Sequence, residues 1–332
     1  MKYKNTVARR ILICGMLLLI ISGAVLFTGC IKKRQLPLSK TGFYFDTVIT
    51  ITVYSPEDEK ILEDCLALAE YYEGLLSRTK EGSDIYKINH AKGNKVAVSD
   101  ETLELLEAAL EYAELTEGKI DPTVGSVSEL WDFHHKTDPV PPDAETLQEA
   151  LSHVDYRKIE ISENVVTLLD PEAVLDLGFI AKGYIADKMK AYLQAEGVTS
   201  ALINLGGNVL TLGSKPDNTP YVIGIQEPFG DTGSYVTTLS VRDRSVVSSG
   251  IYERYFTYDG KLYHHILDTS TGYPIENDLL AVTILSDSSL EGDALSTTCF
   301  CLGFQEAFAY IKTLPDVDAL FITSDGEIHK TY

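Results

Sequence analysis

Asp293 and Thr297 stand four residues apart in the stretch EGDALSTTCF. On a helix that spacing puts both side chains on one face. A carboxylate and a hydroxyl are hard oxygen donors of the kind Mg2+ takes. The same pair also reads as a helix-start aspartate beside a threonine bonded to backbone. A second stretch, VLDLGFIAKGYIADKM, ends an apolar run at Asp176 and opens a helix with Gly178, Lys182 and Gly183. Free N–H groups and the positive dipole end at a helix start suit a phosphate, and a lysine adds a mobile charge. The stretch is neither GxGxxG nor a Walker loop, and a tight strand-to-helix turn with a surface lysine is the alternative.

Three further stretches are richer in polar groups or glycine than a plain scaffold requires. GKIDPTVGSVSELWDF carries Asp121 in an Asp-Pro-Thr turn, beside backbone and aromatic groups that could hold a planar ligand. INLGGNV places two glycines after a buried strand, a mark of a turn, a bulge or close backbone approach. YFTYDGKLYHHILDTSTGYP runs a hairpin into a polar corner. His264 and His265 are neighbours on one strand, so they face opposite sides. One is expected to serve the site and the other to point outward and idle. His134 and His135 pose the same problem.

The elements that must carry these residues can be read from periodicity. TVITITVYS, residues 47–55, alternates and is β-branched, so it predicts a strand. Ser55 and Pro56 open a helix whose apolar face is Ile61, Leu62, Cys65, Leu68, Ala69, Tyr72 and Leu76. A second helix begins near Ser99 and stops at Gly118; others are expected around 143–152, 180–196, 289–300 and 304–313. Strands are expected at 158–162, 165–169, 173–177, 200–205, 221–226, 235–241, 252–258, 261–267, 318–323 and 327–331. Helices and strands neither alternate regularly nor segregate. The fold class is therefore α+β, with mixed or antiparallel sheets and packed helices in a single compact unit.

The chain has 332 residues, 28 Lys+Arg against 49 Asp+Glu, and a net charge of −21. That balance argues against nucleic acid, whose backbone needs clustered cations. Lys2, Lys4, Arg9 and Arg10 precede the uncharged run Ile11–Thr28, the pattern of an export signal. As a helix the run would span roughly 27 Å, borderline for crossing a bilayer. It ends in LFTGC, which resembles a bacterial lipoprotein processing site with Cys30 as the lipidated residue; an uncleaved anchor helix is the alternative. The expected organisation is a signal peptide over 1–29, a lipidated tether over 30–42 and a catalytic domain over 43–332. The protein would then sit on the extracytoplasmic face of the cytoplasmic membrane, anchored by lipid. Cys14 belongs to the export segment, and Cys65, Cys299 and Cys301 are expected as small buried residues rather than a disulfide framework.

Taken together, the stretches resemble the ApbE family, the FAD:protein FMN transferases. The matching pieces are FDTVITITVY, LSRTKEGSDIYKIN, GKIDPTVG with its following LW, DLGFIAKGYIAD, INLGGNV, SSGIYERYF, HHILDTSTGYP and DALST, in the family's order from about Phe43 to the end. Thr269 departs from the family pattern, which has proline there, and Thr79 stands where many members carry an aromatic residue.

The resemblance implies that FAD is split at its pyrophosphate, that FMN passes to a Thr or Ser hydroxyl of another exported protein, and that AMP leaves. It implies a requirement for Mg2+, held by Asp293, Thr297 and the backbone carbonyl of Phe179. It further implies FAD contacts from Phe45, Thr79, Lys119, Ile120, Asp121, Asp176, Lys182, His265 and Ile266, with His265 as general base or orienting group. Two other functions fit the same residues: an FAD pyrophosphatase releasing free FMN and AMP, and a flavin-binding lipoprotein without chemistry.

Overall fold

The computed structural model describes residues 37–54, 59–133, 139–231 and 233–332. The export segment with Cys14 and Cys30, the Ser55–Pro56 helix start, and His134 and His135 lie outside the described residues.

Along the described chain the strands are β1 (Leu38–Tyr44), β2 (Thr47–Val53), β3 (Val96–Ala97), β4 (Ile159–Ser162), β5 (Val165–Leu168), β6 (Ser200–Leu205), β7 (Asn208–Gly213), β8 (Tyr221–Gln226), β9 (Tyr235–Val241), β10 (Ser245–Gly250), β11 (Tyr255–Tyr258), β12 (Lys261–His264), β13 (Leu279–Ser286), β14 (Asp318–Thr323) and β15 (Ile328–Lys330). Eight of them form one sheet in the order β1-β2-β6-β7-β10-β13-β14-β15. Every neighbouring pair in it is antiparallel. The fold is thus α+β, as the mixture of periodicities predicts.

Alternation decides which face each side chain covers. Ile49, Ile51 and Val53 of β2 join Ala201, Ile203 and Leu205 of β6 on one face, under the helices Glu59–Leu76 and Ala181–Ala195. Further along that sheet, Val282, Ile284, Ala319 and Phe321 pack with Leu295, Cys299 and Phe300 of the helix Ser289–Leu302. On the opposite face, Val209, Val246, Ala281 and Leu320 pack with Tyr221, Ile225 and Leu239 of the β8–β9 hairpin.

A smaller cluster holds the polar corner in place. Trp131, fully buried at the end of the helix Gly125–Trp131, packs with Val127, Leu147, Phe256 and Leu267. Its indole Nε1–H donates to the Gly272 carbonyl at 2.7 Å. Burying a side chain of this size stabilises by roughly 1.5–3 kcal/mol, and here that energy fastens residues 264–274 to the rest of the fold.

Four sequence expectations change. The expected tether contains a strand: β1 begins at Leu38 and pairs with β2 through Phe45 and Asp46, both in the left-handed region at φ 53° and 54°. Its polar face meets solvent as an edge strand, which hid it. Residues 173–177 are extended but make only a bridge between Val174 and Val124. Strands β7, β10 and β13 were not foreseen, because β7 and β13 are buried on both faces and do not alternate. Two short helices, Asp84–His90 capped by Ser83, and Gly125–Trp131, also went unseen. Among the described residues no helix is long and apolar enough to cross a membrane.

Candidate active site

The helices Ala181–Ala195 and Ser289–Leu302 cross at backbone contact. A Cβ on Gly183 would sit 2.2 Å from the Ser289 carbonyl oxygen, so only glycine permits the approach. Asp187 then caps the second helix, accepting from Ser288 Oγ at 2.7 Å, Ser289 N at 2.9 Å and Leu290 N at 3.0 Å. The crossing brings Gly183 N–H within 2.5 Å of Asp293 Oδ2.

Asp293 is 4% exposed. Burial pushes its carboxyl above the ordinary carboxylate range, and the Lys182 charge, the Gly183 amide and the Asn208 side chain pull the other way. Asp293, Thr297, Phe179 and Lys182 all line one cleft. Thr297 Oγ1 makes only a long contact of 3.4 Å to the Asp293 carbonyl. Among the described residues no three His, Cys, Asp or Glu side chains gather as a metal-binding group. One carboxylate, one hydroxyl and one carbonyl form a different kind of set, the hard-oxygen kind that suits a cation sharing substrate phosphates and water.

Lys119, Ile120, Asp121, Asp176, His265 and Ile266 line the same cleft. Asp176 closes its own turn, with Oδ1 taking Gly178 N–H at 2.9 Å and Oδ2 taking Ser128 Oγ–H at 3.1 Å. Arg78 Nε lies 3.6 Å from Asp176 Oδ2. Asp121 is buried with its carboxylate committed: Oδ1 accepts from Thr123 N and Oγ1, and Oδ2 from Tyr156 N. It shapes the turn that presents Lys119 and Ile120. Phe45 and Thr79 are not among the cleft-lining residues; their neighbours Thr47 and Arg78 are. The Phe45 N–H is bound to Glu73 Oε1 at 2.7 Å, and Thr79 is exposed.

The two histidines divide their roles, though not by one idling outside. His264 is the more buried, 5% exposed, with Nε2 at 3.0 Å from the Ile275 carbonyl and Nδ1 accepting from Ile266 N–H. It is a structural pin. His265 Nδ1 lies 3.3 Å from the Arg254 carbonyl. A carbonyl only accepts, so the network assigns the proton to Nδ1 and leaves the Nε2 lone pair unprotonated. Burial, with Arg254 and His264 nearby, pushes the imidazole down to about 3, so it stays neutral at working pH. The corner after it is closed by Asp268, whose Oδ1 accepts from Ser270 N at 2.8 Å and whose carbonyl accepts from Gly272 N at 2.7 Å. Thr269 does more than replace a proline: its hydroxyl donates to the Gly118 carbonyl at 2.6 Å, tying the corner to the Lys119–Asp121 segment.

Several lining residues were missed one by one although their stretches had been singled out. They are Thr47, Arg78, Ser128, Asn208, Glu253 and Arg254. The sequence SSGIYERYF showed two opposite charges side by side but not that the chain turns both into the cleft. Glu253 is exposed by surface area, at the wall of the cleft. Burial pushes its carboxyl up to about 7, against the pull of Lys182 and Arg254. Cys65 and Cys299 are buried as expected, but Cys301 is only half-buried and lines the cleft, with Sγ at 3.5 Å from the Lys119 carbonyl. Burial pushes its thiol up to about 12, so it does not act as a thiolate at neutral pH.

The chain matches the ApbE family over residues 45–321. It belongs to the ApbE family. A FAD:protein FMN transferase of Treponema pallidum is 36% identical over 334 residues, covering 95% of this chain and 91% of the relative. Another, from Klebsiella pneumoniae, is 38% identical over 286 residues, covering 84% and 87%. The crystal structure of the ApbE protein of Thermotoga maritima superposes with a TM-score of 0.81 at 33% identity, covering 89% of this chain and 97% of that one. The flavin transferase ApbE of Vibrio cholerae gives 0.78 at 27% identity, covering 89% and 96%.

Proposed function

We propose that this ApbE protein transfers FMN from FAD to a Thr or Ser hydroxyl of an exported acceptor protein, releasing AMP. The observation that carries the reading is the juxtaposition of the Asp293 carboxylate, held by the Gly183 amide at 2.5 Å, with Lys182 in one cleft. In the reaction the acceptor oxygen attacks the FMN phosphorus of FAD. A new P–O bond forms, the bond from that phosphorus to the bridging oxygen breaks, and AMP leaves with that oxygen. A pyrophosphate resists such attack because its own charge repels the nucleophile. Lys182 neutralises part of that charge, and the amides at the start of its helix add oriented dipoles. His265 orients the acceptor hydroxyl and takes its proton at Nε2.

Asp293, Thr297 and the Phe179 carbonyl would hold Mg2+, which supplies charge neutralisation on the transferring phosphoryl group. Lys119, Ile120 and Ile266 give the flavin or adenine a wall, and Arg78, held between Asp176 and Glu129, offers guanidinium donors at its edge. The basic, then apolar N-terminus and the Cys30 motif support export and lipid anchoring at the extracytoplasmic membrane face. Mass spectrometry of the mature N-terminus is expected to find acyl groups on Cys30; residues 1–29 still attached would overturn that placement.

The transfer itself is tested by incubating the protein with FAD and Mg2+, with and without an acceptor polypeptide. Acceptor gaining the mass of FMN, with AMP released, is the expected result. Free FMN and AMP in equal amounts with unmodified acceptor would make the protein a pyrophosphatase. Intact FAD would make it a flavin carrier.

A further inference from the structure

The INLGGNV stretch does more than turn. Gly206 and Gly207 make the two-residue reversal between β6 and β7, and Gly206 packs so closely on Thr47 that a Cβ would lie 2.0 Å from its hydroxyl. The residue the reversal delivers is Asn208, 1% exposed and lining the cleft. Its Oδ1 accepts from Ser289 Oγ–H at 2.6 Å, and Ser289 Oγ in turn accepts from Ser245 Oγ–H at 3.0 Å. Both serines are fully buried. With its oxygen committed to that relay, the amide nitrogen must point the other way. There Nδ2 has no hydrogen-bond partner of good geometry. Asp293 lies one helical turn on from Ser289, on the same helix face, and lines the same cleft as Asn208, so its carboxyl is the acceptor on that side. Flipping the amide would set its oxygen against that carboxylate and break the bond from Ser289, so the relay fixes which end faces Asp293.

We propose that Asn208 is the positioning residue for Asp293, its amide aiming the carboxylate into the cleft, with Ser289 and Ser245 holding the amide in that orientation. The proposal rests on the magnesium reading above. A ligating carboxylate free to rotate must be ordered each time a cation arrives, whereas one bonded by the Gly183 amide and faced by an amide nitrogen fixed in orientation is preorganised. Groups that orient a metal ligand in this way are typically worth about 10–100-fold in metal affinity. A buried amide donor whose oxygen is committed elsewhere calls for such an explanation.

The test measures Mn2+ binding to the full chain by the electron paramagnetic resonance signal of the free ion, so that it does not depend on turnover. Wild type, Asn208→Ala, Ser289→Ala and the double variant are compared, with thermal unfolding as the check on folding. Asn208→Ala is expected to weaken Mn2+ binding by about tenfold or more. Ser289→Ala is expected to weaken it by a smaller factor, and the double variant to bind no more weakly than Asn208→Ala alone, since the serine acts through the amide. Asn208→Ala binding Mn2+ like the wild type overturns the role, as does full additivity of the two substitutions. Wild type that binds no Mn2+ overturns the magnesium reading itself. Should Asn208→Ala fail to fold, Ser289→Ala carries the test alone: unchanged affinity there overturns the relay.

Discussion

The Gly183 amide donates to Asp293 Oδ2 across 2.5 Å, joining two helices whose relevant residues lie 110 positions apart in the chain. The bond exists because glycine lets the helices touch, and that contact brings an anionic side chain and the start of a lysine-bearing helix into one cleft.

Glycine-to-alanine changes are therefore expected to have opposite signs in two helices. At Gly74, in the helix Glu59–Leu76, an added Cβ meets nothing within 4 Å. Gly74→Ala should stabilise by up to about 1 kcal/mol through helix propensity. Gly183→Ala gains the same propensity but drives a methyl into the Ser289 carbonyl, and overpacking costs roughly 1–3 kcal/mol or more. Denaturant unfolding should show Gly74→Ala above wild type and Gly183→Ala below it, with FAD binding weakened only in the second. A Gly183→Ala protein as stable as wild type and binding FAD normally would contradict the crossing geometry.

Asp293→Ala is expected to abolish turnover while the protein stays folded. Its stability should also reveal the buried charge. The folded carboxyl titrates above its unfolded value because of burial. Its contribution is therefore fully present below the ordinary carboxylate range and is lost as pH rises through the folded value. Without added cation, the variant should lack that part of the fall in stability with rising pH. With Mg2+ added, wild type should gain melting temperature by mass action and the variant should not. Mg2+-supported turnover surviving in Asp293→Ala would remove Asp293 from the site.

His265→Ala is expected to lower turnover by about 10²–10⁴-fold, the usual value of general-base help; a loss of tenfold or less would take His265 out of the mechanism. Its imidazole, pushed down to about 3, should contribute no limb to the rate profile between pH 5 and 8. Glu253 should. Below about 7 it is protonated and uncharged, and a neutral group repels the pyrophosphate less than a carboxylate does. The KM for FAD should therefore rise as pH passes upward through about 7, and Glu253→Gln should flatten that rise. A KM unaffected by pH in the wild type would contradict this place for Glu253.

What the sequence made legible follows from where the signal is local. Asp293 and Thr297 are legible because helical spacing puts them on one face, and Lys182 because a glycine-flanked helix start is itself a signal; all three line the cleft. The corner after His265 was recognised as polar beyond need. Arg78, Asn208, Glu253 and Arg254 escaped because each leaves a turn whose destination is set by distant packing. Asn208 meets Ser289 from 81 residues away, and Arg78 meets Asp176. Phe45 and Thr79 missed the cleft wall by two residues and by one, since turn geometry decides which neighbour points inward. Asp121 lines the cleft, while its carboxylate accepts from Thr123 and Tyr156, a commitment that sequence spacing does not show. Central strands β7 and β13 gave no period because both of their faces are buried.

The most direct test of the central claim is a crystal structure with FAD and Mn2+, read through the metal's anomalous signal. The expected map has the Mn2+ peak between Asp293 and Thr297, with the FAD pyrophosphate bridging it to Lys182. A pyrophosphate bound away from both helices, or a metal peak remote from Asp293, would contradict the claim.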